Sequence, residues 1–141
     1  MAALDTNVLV RYLVADDAAQ LAAVTKLIKA ALRAGEALYV PITVMLELEW
    51  VLRSHYKLPK AEVTSNFSAL MSAAELSFEN EPALEIALAL YKKTVVDFAD
   101  CVHIALAHVA GESPLWTFDK TAAKVDGARL LASAGQPTRQ Y

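Results

Sequence analysis

Short apolar runs alternate along this chain with longer stretches in which apolar residues recur at helical spacing, and this alternation restricts the fold more than any other feature. Residues 2–4 (Ala-Ala-Leu) end at Asp5, residues 37–40 at Pro41 and residues 115–118 at Asp119, and each reads as a brief buried strand. Residues 128–131 read as a last strand, and 76–78 as a strand or a linker. Asp16-Asp17 followed by Gln20 marks a capped helix start. From there Leu21, Val24, Leu27, Ile28, Ala31 and Leu32 keep helical spacing up to Gly35, a residue suited to ending a helix. Further helices are predicted over 8–14 (a turn or two), 43–54, 59–73, 82–93 and 99–110, with a helical turn at 120–124; residues 94–96 are ambiguous. Strands that alternate with helices predict an α/β sandwich with a mainly parallel sheet. In such a sheet chemistry gathers at the carboxyl ends of the strands.

Composition agrees and narrows the class. The chain is 56% hydrophobic, with 27 alanines and 20 leucines, against about 45–50% in an average domain. That excludes disorder and favours packed helices. Four glycines and five prolines exclude collagen-like and low-complexity chains, and Cys101, the single cysteine, excludes a disulfide scaffold. The apolar excess implies either a thick core or a surface covered by a partner. No stretch free of Asp, Glu, Lys and Arg exceeds 12 residues (63–74), and the very apolar 101–111 has 11, whereas a membrane span needs about 20. The opening MAALDTNVLVRYL has no basic region and does not read as a signal peptide. A cytoplasmic protein is expected, one domain over residues 1–132 followed by a polar tail at 133–141. A net charge of −3 argues against coating nucleic acid through a broad basic face, but not against a nuclease with its acids gathered in a pocket.

The placement of the acids carries the functional reading. Asp5 follows Ala-Ala-Leu, Glu47 lies within Val-Met-Leu-Glu-Leu-Glu-Trp, Asp97 and Asp100 bracket Phe98 before a very apolar helix, and Asp119 follows Leu-Trp-Thr-Phe. A carboxylate in apolar surroundings is costly unless paired, hydrogen-bonded or bound to metal. Asp97 also reads as a simple helix cap. Asp100 falls on the helix side of His103, Ile104 and Ala107. Glu49 precedes Arg53 by four residues, the order of a surface ion pair, so Glu47 is expected to take the inward face. Asp5, Glu47, Asp100 and Asp119 are thus expected to converge, with Asp97 nearby. Four clustered carboxylates repel unless a cation joins them. Hard oxygen donors without His₃ or Cys₂ point to Mg²⁺ or Mn²⁺, a donor set suited to phosphoryl chemistry.

At these residues the chain resembles PIN-domain ribonucleases, most closely the VapC toxins of type II toxin–antitoxin pairs. The matching pieces are Leu4-Asp5-Thr6-Asn7-Val8-Leu9-Val10-Arg11-Tyr12-Leu13, Leu46-Glu47-Leu48-Glu49-Trp50-Val51-Leu52-Arg53, Asp97-Phe98-Ala99-Asp100 and Thr117-Phe118-Asp119-Lys120, in the family's order. The resemblance implies a PIN-like three-layer α/β/α sandwich with a central parallel sheet. It implies a Mg²⁺- or Mn²⁺-dependent endoribonuclease toxin, neutralised by a cognate antitoxin and forming a homodimer. Asp5, Glu47, Asp100 and Asp119 match the acidic quartet, with Asp5, Asp100 and Asp119 as metal ligands. Thr6, Asn7 and Thr117 match positions that orient a carboxylate, a water or phosphate, and Asp97 matches a frequent additional acid. Metal-assisted hydrolysis of RNA to a 3′-hydroxyl and a 5′-phosphate follows, with Arg11, His55 and Lys120 as candidate phosphate contacts.

Other features read more plainly. His103 is expected to be partly buried and hydrogen-bonded, and His108 and Cys101 to pack. Trp50 and Trp116, although able to stack on bases, are expected in core or interface packing. Aspartyl-phosphate phosphatases and receiver domains also place acids at strand ends. The former want an Asp where Asn7 stands, and the latter a lone Lys ending a late strand, whereas Lys120 follows an acid. A PIN-fold nuclease outside a toxin–antitoxin pair and a non-catalytic metal- or RNA-binding module are the remaining alternatives.

Overall fold

The computed structural model describes residues 2–133; of the tail at 133–141, all but residue 133 lies outside the described residues. The chain divides into two compact units, 1–81 and 82–141. Both combine helices with parallel strand pairs, so the mixed α/β class with parallel strands expected of a PIN-like fold is what the chain adopts.

In the first unit, α1 (Thr6–Leu13) is capped by Asp5, and α2 (Ala18–Ala34) by Asp17, whose side chain accepts from the Gln20 amide at 3.0 Å. The helix stops where expected, because Gly35 takes a left-handed conformation (φ 66°) that a Cβ would strain. β1 (Leu38–Val40) pairs in parallel with β2 (Leu76–Phe78), which resolves the latter segment as a strand. The residue 2–4 segment is shorter than a strand: Ala3 forms a single parallel bridge to Tyr39 on β1. Pro41 caps α3 (Ile42–Trp50), which runs on into a π-helical turn, Val51–His55. Pro59 then opens α4 (Lys60–Met71). α1 packs on α2 and α3, and α4 packs on β2 and the π turn. Leu9, Val10, Met45, Leu48, Leu52, Val63 and Phe67 are fully buried. Burial at about 25 cal/mol per Å² is the main force fixing these helices.

The second unit holds α5 (Glu81–Lys93), α6 (Phe98–Val109), β3 (Leu115–Thr117), a 3₁₀ turn (Ala122–Lys124) and β4 (Ala128–Leu130). β3 and β4 are parallel, and α6 packs on β3. Tyr91 meets Phe98 edge to face at 5.2 Å, and Cys101 is buried with its thiol directed at the Val96 carbonyl, so Cys101 packs as expected. Among the described residues no helix is long and apolar enough to cross a membrane.

Candidate active site

In the first unit the site grows from the start of α1. Asp5 occupies its N-cap position in extended conformation, and its Oδ1 accepts from the Thr6 amide at 2.7 Å. The carboxylate is exposed, and Thr6 behind it is buried. The Thr6 hydroxyl donates to Glu47 Oε1 on α3, which ties Asp5, Thr6 and Glu47 into one local group. Thr6 therefore holds one oxygen of the Glu47 carboxylate. Asn7 is exposed one residue further on. Arg11 is already engaged: its guanidinium donates to Gln20, to Asp16 Oδ1 (2.9 Å) and to the Tyr56 hydroxyl (3.0 Å), while Tyr56 donates to Asp16 Oδ2 (2.9 Å). The Tyr56 hydrogen bond, with the nearby Arg11 charge, holds the Asp16 carboxyl below its ordinary range.

The two glutamates of α3 exchange the exposures expected of them. Glu47 is exposed, whereas Glu49 is 5% exposed. The inward stripe of the helix is Met45, Leu48, Glu49 and Leu52, the i, i+3, i+4, i+7 spacing of a core face. Glu49 is tolerated there because Arg53 donates to it through Nε at 2.8 Å, so the expected pair forms with its acid buried. Glu47 stands on the open face instead. The apolar spacing at 45, 48 and 52 was the signal that separates them.

In the second unit, Asp97 is the N-cap residue of α6 by backbone geometry, but its side chain makes no capping bond. It is exposed, and Asp100, in the first turn, is half-buried. Neither side chain has a hydrogen-bond or ion-pair partner among the described residues. Asp119 lies two residues past the end of β3, and its Oδ1 accepts from the Thr121 and Ala122 amides at 2.8 and 3.0 Å, capping the 3₁₀ turn. The Thr117 hydroxyl accepts from the Asp119 amide at 3.0 Å and so fixes the backbone that presents this acid. His103 and His108 are exposed, not packed, because the buried stripe of α6 runs through Cys101, Val102, Ile104 and Ala105. Trp116 is exposed as well, with the Arg129 guanidinium 5.5 Å from its ring centre, and Trp50 is 58% exposed, so neither lies in the core.

The acids differ in their electrostatic partners. Asp16 and Glu49 are neutralised by Arg11 and Arg53. Asp5, Glu47, Asp100 and Asp119 have no cationic partner among the described residues. Each offers at least one carboxylate oxygen not held by the protein, all hard donors suited to a divalent cation. No group of three or more His, Cys, Asp or Glu side chains among the described residues is already arranged as a metal cage. In comparisons with known proteins, the family model described as PIN domain matches residues 2–128. A search of curated proteins finds no match.

Proposed function

Since the PIN domain match spans residues 2–128 of 141, the chain belongs to the PIN domain family, whose members are generally nucleases that use divalent metal ions, and we propose that it is a Mg²⁺- or Mn²⁺-dependent endoribonuclease acting as the toxin of a toxin–antitoxin pair. The observation that carries the nuclease reading is the set of four carboxylates at the motif positions, Asp5, Glu47, Asp100 and Asp119, that the protein leaves without cations. In a domain that neutralises Asp16 and buried Glu49 internally, unneutralised acids at these positions favour a bound cation.

When bound, a divalent ion supplies charge to screen the scissile phosphate and lowers the pKa of water toward neutrality. Asp5, Asp100 and Asp119 are the proposed ligands. Glu47 is held by Thr6 so that its other oxygen is available to accept the proton of an attacking water. Thr6 and Thr117 act as positioning residues, one through a side chain and one through the Asp119 backbone. Asn7, exposed beside Thr6, is the proposed substrate contact. Arg11 contributes fixed positive charge within its bracket with Asp16 and Tyr56, and Asp97, exposed and unengaged, adds to the acidic side. The partners on this reading are RNA, a cognate antitoxin and a second copy of the chain, in the cytoplasm.

The test is purified protein incubated with RNA. Cleavage that stops on addition of EDTA and returns with Mg²⁺ or Mn²⁺, leaving 5′-phosphate and 3′-hydroxyl ends, is expected. Cleavage unaffected by EDTA, or 2′,3′-cyclic phosphate ends, contradicts the reading.

A further inference from the structure

Beside the Asp5–Thr6–Glu47 group the first unit carries an open cleft of about 430 Å³, within the range of about 300–1,000 Å³ usual for small-molecule sites. Asn7, Val10 and Arg11 of α1 form one wall, and Trp50, Ser54 and His55 are prominent in the other. The second wall is shaped by the π turn, in which the Tyr56 amide bonds back five residues to the Val51 carbonyl at 3.2 Å. Such turns are rare, and where they occur they frequently mark functional sites.

The chemistry of the cleft points to one class of occupant. Trp50 leaves most of its indole in water and makes no ring contact or hydrogen bond among the described residues. An apolar residue of that size is normally covered. Opposite stand the Asn7 amide, which both donates and accepts, and close by the Ser54 hydroxyl and the His55 imidazole, whose ring packs edge-on against Tyr56 at 4.8 Å. No carboxylate lines the cleft, so a phosphate-bearing ligand meets no like charge inside it. A flat apolar face with amide and hydroxyl groups at its margin matches a nucleobase, which stacks by its face and is read by its edge. The cleft is continuous with the proposed reaction centre along two elements: Asn7 follows Thr6 directly, and Trp50 lies one helical turn beyond Glu47.

We propose that this cleft is a base-binding subsite for the RNA strand, with a base stacked on Trp50 and its edge read by Asn7, Ser54 and His55. It rests on the ribonuclease reading and adds where sequence preference is set. The chain has two tryptophans, so a Trp116→Phe variant reports on Trp50 alone. Titrated in EDTA with the four nucleoside 5′-monophosphates and with short oligoribonucleotides, its emission is expected to be quenched saturably, with one base favoured. Asn7→Ala is expected to weaken or flatten that preference. Trp50→Ala is expected to weaken oligoribonucleotide binding, measured by fluorescence anisotropy in EDTA, roughly ten- to a hundred-fold. With metal present it shifts the cleavage positions read by sequencing. Emission that no nucleotide or oligoribonucleotide changes overturns the proposal, as does Trp50→Ala protein that binds as tightly as its parent. A cleft that takes a side chain of a protein partner gives those same negative results. Because the binding arms run without metal, quenching without any cleavage keeps the subsite and defeats the nuclease reading. Cleavage without quenching does the reverse.

Discussion

Individual carboxylates in this chain do different kinds of work, and substitutions separate them. Asp5 both caps α1 and offers charge. Asn caps about as well as Asp, so Asp5→Asn keeps the helix and removes only the charge. Its melting temperature is expected to stay within about 2 °C of wild type, a change of about 0.5 kcal/mol or less, while RNA cleavage falls at least about a hundred-fold. Asp119→Ala combines two losses, because the 3₁₀ turn loses its cap at a cost of about 1 kcal/mol. Thr6 is a cleaner probe of positioning. Thr6→Val keeps the buried volume and deletes the hydroxyl that holds Glu47. Activity is expected to drop about ten-fold with kcat more affected than KM, and Thr6→Ser is expected to restore it; a Thr6→Val enzyme with wild-type kcat removes the positioning role.

At the scale of elements, the bracket of Arg11, Asp16, Gln20 and Tyr56 joins α1, the start of α2 and the end of the π turn. The folded state depresses the Asp16 carboxyl mainly through the Tyr56 hydroxyl. A depressed carboxyl contributes stability above its unfolded pKa and loses it as pH falls through the folded value. Tyr56→Phe is therefore expected to destabilise the chain at neutral pH, and the difference should shrink as pH drops below about 4, the ordinary carboxylate range. Urea midpoints for both proteins across that range check the sign, and a gap that widens in acid refutes it. This bracket was not legible in the sequence, since its members lie up to 45 residues apart. The local devices were: the Asp17 cap, the Gly35 stop and the proline-opened α4 obey short-range rules. Strand pairing at 76–78 and the π turn depend on tertiary packing, which short apolar runs do not encode. The exposures of Glu47 and Glu49 were written in the apolar spacing of α3, but the i, i+4 pair with Arg53 suggested a surface position and drew attention away from it.

For the whole molecule, the PIN domain family was readable from motif order, whereas the cleft was not, because Trp50 reads as core in any apolar window. A domain with 56% hydrophobic residues and a charge of −3 is a poor general binder of nucleic acid, so on the proposed reading its affinity for RNA is local. The toxin reading adds an expectation in cells. Induction of the chain alone in a bacterium is expected to arrest growth, and co-expression of its neighbouring reading frame to relieve the arrest. Unchanged growth on induction of soluble protein removes the support for a toxin without touching the nuclease reading.

If carboxylates left without cations carry out metal-dependent RNA hydrolysis, Asp100 is the residue whose charge matters most to cleavage and least to the fold. It is half-buried, has no partner among the described residues and makes no capping bond, so Asp100→Asn loses only the favourable charge of the first turn of α6, about 0.3–1 kcal/mol. Single-turnover cleavage of one RNA by wild-type and Asp100→Asn protein in Mg²⁺, with matched melting curves, is the measurement. The expectation is a stability within about 1 kcal/mol of wild type and a rate at least about a hundred-fold lower for the variant. Equal rates at equal stability contradict it.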